Sequence, residues 1–144
     1  MAYQEPSEQG LRQIYADTRT IAVVGASADP DKAAHYIPEY LQSQGYRIVP
    51  VNPRGGRLLG ELVVTSLGEV SEPIDVVEVF RPSKETPAIA REAVAAGAKV
   101  LWLQEGIASE EAADIASQGG LTVVMDRCMG ATHRALGLGR SLRR

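Results

Sequence analysis

The 144-residue chain has one cysteine, Cys128, so no internal disulfide can staple it and a reducing compartment fits. Aromatic residues are only 5% of the sequence. Alanine, valine, leucine and isoleucine must therefore fill the core, which suits a helix-covered parallel sheet. Positive charge is not in excess: the formal net charge is -3, which argues against a general nucleic-acid binder. One cysteine and two histidines argue against a metal site. No apolar stretch approaches the roughly 20 residues that span a bilayer. The polar start, MAYQEPSEQG, has no apolar core of a signal peptide. These absences make a cytoplasmic location, without membrane or nucleic-acid partners, the expectation. The length fits a single domain over 1–144 with a helical N-terminal extension (1–19) and a solvated basic tail (139–144). That tail carries Arg140, Arg143 and Arg144.

What is present alternates. Leu11, Ile14 and Tyr15 fall at helical spacing, predicting a helix from Glu8 to Ala16. Thr20 to Val24 is an unbroken apolar run ending at Gly25, a strand buried on both faces. Pro38 belongs in a first helical turn, so a helix is expected from about His35 to the capping Gly45. Tyr46–Val51 is the second strand, and Leu58–Ser66 is ambiguous, with a turn and a minor strand. Ile74–Phe80 is the third strand, followed by a helix to about Ala96. Val100–Gln104 is the fourth strand. Ser109 reads as the N-cap of a helix that stops at Gly119 and Gly120. Leu121–Met125 is the fifth strand, and a short helix is expected near Thr132–Leu138. This alternation predicts an α/β, Rossmann-like, doubly wound parallel sheet of five strands in three layers, in the order 3-2-1-4-5. Ligands of such sheets bind at the carboxyl ends of the strands, where the order reverses.

Each strand end carries chemistry. After the first strand, Gly25 permits a tight turn, Ser27 offers a hydroxyl and Lys32 a positive charge, with Tyr36 near the helix start. A phosphate held there needs peptide N–H groups that the protein leaves free. The dinucleotide fingerprint G-x-G-x-x-G is absent: Ser27 and Pro30 stand at its second and third glycines. The second strand ends without the acidic residue that holds an NAD ribose. Asn52, Pro53 and Arg54 stand there, and an arginine fork matches a ribose phosphate, which NADP and coenzyme A both carry. Phe80, Arg81 and Pro82 follow the third strand, and Gln104, Glu105 and Gly106 the fourth. Trp102 is expected in the core or at an interface. Cys128 and His133 lie close in sequence, yet no third orienting residue follows from spacing, so packing is the expected role of the cysteine. No catalytic residue is assigned.

The segments IAVVGASADPDK, GYRIVPVNPR, DVVEVFRPS, GAKVLWLQEGI and VVMDRCMGATH resemble the stand-alone CoA-binding domain family. They are also similar, more distantly, to the N-terminal domain of the succinyl-CoA synthetase alpha subunit. The resemblance implies coenzyme A, or an acyl-CoA, held along the carboxyl edge of the sheet. It implies that Gly25, Ala26, Ser27 and Lys32 face phosphates, and that Asn52, Pro53 and Arg54 lie at the adenosine 3'-phosphate. It puts Phe80, Arg81 and Pro82 along the cofactor's middle, and Gln104, Glu105 and Gly106 toward the pantetheine arm. The expected role is a binding module, carrier or regulator, without its own chemistry. An NADP-binding oxidoreductase fragment is the alternative. The sequence names no protein partner and leaves a homo-oligomer open.

Overall fold

In the computed structural model, which describes residues 3–141, the helical and extended periodicities resolve into alternating elements. They are α1 (Glu8–Asp17), β1 (Thr20–Val24), α2 (Ala33–Ser43), β2 (Arg47–Val51), β3 (Arg57–Leu58), β4 (Glu61–Leu62), β5 (Val76–Val79), α3 (Thr86–Ala95), β6 (Val100–Leu103), α4 (Glu110–Gln118), β7 (Thr122–Val124) and α5 (Met129–Ala135). Arg143 and Arg144 of the basic tail lie outside the described residues.

Local chemistry accounts for the helix ends. The Ser7 hydroxyl accepts from the Gly10 amide at 3.1 Å, and Ser109 accepts from Ala112 at the same distance. Each satisfies an amide that has no partner inside its helix. Glu110 and Glu111 complement the positive end of α4. The last helix begins at Met129, three residues before the expected Thr132, because the Cys128 sulfur accepts from the Ala131 amide and caps it.

Helix α2 also starts earlier than the position of Pro38 suggests, and Pro38 sits inside it. A proline there leaves the carbonyl four residues back, that of Ala34, without its helical donor. The Ser27 amide takes that carbonyl at 3.1 Å. The interior proline thus ties the loop after β1 to the helix that follows it.

Five strands pair in parallel, in the order β2-β1-β5-β6-β7. Numbered along the chain, the observed order is 2-1-3-4-5 rather than the expected 3-2-1-4-5. The third strand lies on the free side of the first, which leaves the second at the edge. Pro50 supplies the physical reason. It pairs with Val23 in β2, and a residue without an N–H suits an edge strand better than a central one. On the outer side its carbonyl accepts from Val64, whose own carbonyl accepts from Asn52. Asp75 secures the other side: its carboxylate accepts from the amides of Arg19 and Thr20, both at 2.9 Å, where β1 and β5 start. The segment read as ambiguous holds the β3–β4 hairpin, which Arg47 ties through Glu61 while also pairing with Glu72 further along the chain.

Helices cover both faces. Ile89, Ala90 and Ala93 of α3 and Ala112, Ala113 and Ala116 of α4 pack on Ala22, Val77, Leu101 and Val123. The other layer brings Leu11, Ile14 and Tyr15 of α1, Leu41 of α2 and Met129 of α5 onto Ile21, Ile48, Val76 and Trp102. Helix α1 is therefore part of the core rather than an appendage. Trp102 is fully buried and donates from Nε1 to the Arg127 carbonyl at 2.8 Å. Burying one large apolar side chain contributes roughly 1.5–3 kcal/mol, so the small residues build the core by number. Among the described residues, no helix is long and apolar enough to cross a membrane.

Candidate functional site

With β1 flanked by β2 and β5, the strand order reverses between β1 and β5, and a cleft opens above their carboxyl ends. Its volume is about 920 Å³. Gly25, Ala26, Ser27, Lys32, Asn52, Pro53, Arg54, Phe80 and Arg81 all line it. Residues that the sequence reading did not single out complete the wall. Leu58, Leu67 and Ile89 add apolar surface, Thr65 and Ser66 add hydroxyls, Arg57 adds a cation, and Glu85 and Glu92 add acids. The hairpin and the turn after it bring Arg57, Thr65 and Ser66 there, and no local motif announces that placement.

The geometry corrects one expectation about the loop after β1. Two of its amides are already spent: Gly25 donates to the Val51 carbonyl and Ser27 to the Ala34 carbonyl, both at 3.1 Å. The Ser27 hydroxyl accepts from Asp29. Among the described residues, the amides of Ala26, Ala28, Ala33 and Ala34 have no recorded acceptor. The bare donors thus belong to Ala26, one of the positions read from sequence, and to three alanines that were not singled out. Gly25 has a structural reason of its own. Its φ is +89°, and a Cβ there would meet Arg81 Cδ at 2.9 Å and the Phe80 carbonyl at 3.2 Å. Its missing side chain makes room for Arg81.

Asn52 joins two loops. Its Nδ2 donates to the Ala26 carbonyl and its Oδ1 accepts from the Arg54 amide, each at 2.8 Å. That pairing sets the position of Arg54 relative to the loop. Lys32, Arg54 and Arg57 are exposed and have no ion pair among the described residues. Arg81 differs: it forms a two-pronged pair with Glu85, Nε to Oε1 at 3.0 Å and Nη2 to Oε2 at 2.9 Å.

Five residues expected at the site fall outside the cleft wall. Tyr36 is 48% exposed on α2. Pro82 turns to solvent as the chain enters the turn before α3. Gln104 is buried and its Oε1 accepts from the Met129 amide, and the Gly106 amide donates to Asp126. Glu105 is exposed beside them. At this end of the sheet the Met125 amide donates to the Tyr3 hydroxyl, and Glu5 pairs with Arg127. The strand ends that attract polar residues are here occupied by the chain itself.

Cys128 and His133 do not form a pair. His133 is buried, hydrogen-bonded to the Tyr40 hydroxyl at 2.8 Å, with the rings of Tyr15, Tyr40 and Tyr46 around it. Burial holds its pKa below the usual imidazole value. Sequence reading missed Glu78 altogether. It sits in β5 between Val23 and Trp102, fully buried, and among the described residues neither carboxyl oxygen has a hydrogen-bond partner. Desolvation pushes its pKa up to about 8. The signal was one acidic residue inside a run that is otherwise apolar on both faces.

The profile of a protein family described as CoA binding domain matches residues 19–134. An uncharacterized protein of Bacillus subtilis, YneT, is 41% identical over 130 residues, covering 90% of this chain and 96% of its own. A solved structure from Thermus thermophilus, described only as cell-free ID.343, superposes with a TM-score of 0.87 at 42% identity, covering 91% of this chain and 99% of that one. The alpha subunit of an ADP-forming acetate–CoA ligase of Pyrococcus furiosus is 33% identical over 91 residues. The match covers 58% of this chain but only 19% of that subunit.

Proposed function

Because the chain belongs to the CoA binding domain family, we propose that it holds coenzyme A or an acyl-CoA in the cleft above β1, β2 and β5, as a carrier or regulator without chemistry of its own. One observation carries this reading: three cations of that cleft, Lys32, Arg54 and Arg57, have no carboxylate partner among the described residues. A polyanion supplies what those side chains lack, and charge-assisted bonds to phosphate are among the strong ones. Lys32 and the amides of Ala26 and Ala28 then serve the diphosphate. Arg54, with Arg57, serves the ribose 3'-phosphate, and Leu58, Leu67 and Ile89 lie beneath the base. Arg81 stands where the diphosphate joins pantetheine, which leaves past Phe80. Acetate–CoA ligation belongs to the name of a relative about three times as long, and none of it is assigned to this chain.

Calorimetric titration with CoA tests the reading, beside the thermal midpoint. A ligand present at a hundred times its Kd stabilises the native state by about 2.7 kcal/mol, so the midpoint must rise. Arg54→Ala should weaken CoA about tenfold or more, and should leave dephospho-CoA, which lacks the 3'-phosphate, nearly unchanged. The proposal fails if millimolar CoA gives neither heat nor a midpoint shift. It fails equally if NADPH binds with enhanced fluorescence and CoA does not compete.

A further inference from the structure

Among the described residues, Arg81 is the one cleft cation that the protein neutralises itself. Both guanidinium contacts to Glu85 are hydrogen bonds of ordinary length, arranged as two parallel prongs. That is the geometry with which an arginine grips a phosphoryl group. The pair lies in the cleft wall, with the two side chains 47% and 40% exposed. An exposed pair of this kind is weak and easily exchanged. The stem of Arg81 lies against the loop, where its Cγ and Cδ fill the space above Gly25. The guanidinium can therefore change partner by turning at its end while its root stays against the loop after β1. Glu85 is held at the start of α3, where the helix dipole favours a negative charge even when it is unpaired.

We infer that Glu85 is an internal competitor for Arg81, standing where a phosphoryl group of the ligand binds, so that only a ligand of higher charge than a carboxylate takes the arginine over. This rests on the cleft being a polyanion site, and it adds a charge threshold to that site. A single carboxylate in solution cannot outdo one already tethered four residues away. A diphosphate carries more charge and more acceptor oxygens. The class selected is the diphosphate-bearing nucleotide, and the class rejected is the small monoanion. Arg81 holds the Glu85 carboxyl below the usual carboxylate range, so the competitor is charged at neutral pH.

The test measures binding of CoA, inorganic pyrophosphate and acetate at one low salt concentration. It uses the wild type, Glu85→Gln, Arg81→Gln and the double variant. Glu85→Gln should tighten CoA and pyrophosphate about three- to tenfold and let acetate compete. In the Arg81→Gln background the same change should have little effect, because its target is gone. The Arg81 Nε–H resonance should shift when pyrophosphate is added to the wild type. The inference is overturned if Glu85→Gln binds CoA no tighter than the wild type, which leaves the CoA reading intact. It is also overturned if the gain is equally large without Arg81, since that is a general effect of removing charge. Binding of pyrophosphate but not CoA to Glu85→Gln supports the competitor and defeats the CoA reading. No binding by any form defeats both.

Discussion

Replacing Glu78 by methionine should stabilise the protein, and by more the higher the pH. Glu78 is fully buried beside Val23 and Trp102, and among the described residues neither oxygen has a partner. Its pKa rises from 4.5 to about 8 because burial penalises the charged form. The sign follows. Between those values the folded protein keeps a proton that the unfolded chain releases, so stability is full below the unfolded pKa and falls as pH rises toward the folded one. Each pH unit inside that window is worth roughly 1.4 kcal/mol, so the wild type should lose on the order of 2–3 kcal/mol between pH 5 and pH 7 through this group. Methionine has similar volume and no charge, and replacing a buried ionisable group with an apolar one is often neutral or stabilising. Even at pH 5, the unpaired polar atoms of the neutral acid cost about 1–3 kcal/mol. Urea unfolding of both proteins at pH 5, 6, 7 and 8 gives the difference directly. It should widen steadily to about pH 8 and then level off. Parallel stability curves across that range would show that Glu78 is solvated or paired, and the reasoning about its burial would be wrong.

Two further outcomes are expected from other parts of the structure. His133 has a lowered pKa through burial, so it binds fewer protons folded than unfolded. Its stabilising share is present above the unfolded value of 6.5 and is lost as pH falls below it, by up to roughly 1.4 kcal/mol per unit. An imidazole NMR titration should place its midpoint below 6.5, and His133→Phe should flatten the acid limb of stability; a midpoint at or above 6.5 refutes this. Gly25→Ala puts a methyl 2.9 Å from Arg81 Cδ at a φ of +89°. It should cost about 1–3 kcal/mol in urea unfolding, and an unchanged midpoint would mean that the loop yields freely.

Much of the fold was legible because its signals are local. The spacing of Leu11, Ile14 and Tyr15 marks a helix that buries those residues. The Ser109 cap and the Gly119 stop bound α4. The unbroken run from Thr20 marks a strand covered on both faces. The order of strands was read wrongly because it depends on which side of β1 the third strand takes, although Pro50 carried an overlooked clue to the edge. At the site, the residues after the first three strands were largely placed at the cleft. Those after the fourth were not, since Gln104 and Gly106 are used by Met129 and Asp126.

By itself the sequence determined where elements start and stop, which faces are apolar, and which strand ends carry cations and turns. Those properties follow from spacing, caps and backbone freedom within a few residues. Only the tertiary structure decided which amides stay bare, that Arg81 occupies the space over Gly25, and that Glu78 is sealed without a partner among the described residues. The reason is that a hydrogen-bonding group is spent or free according to what the folded chain brings to it, and those partners come from segments distant in sequence.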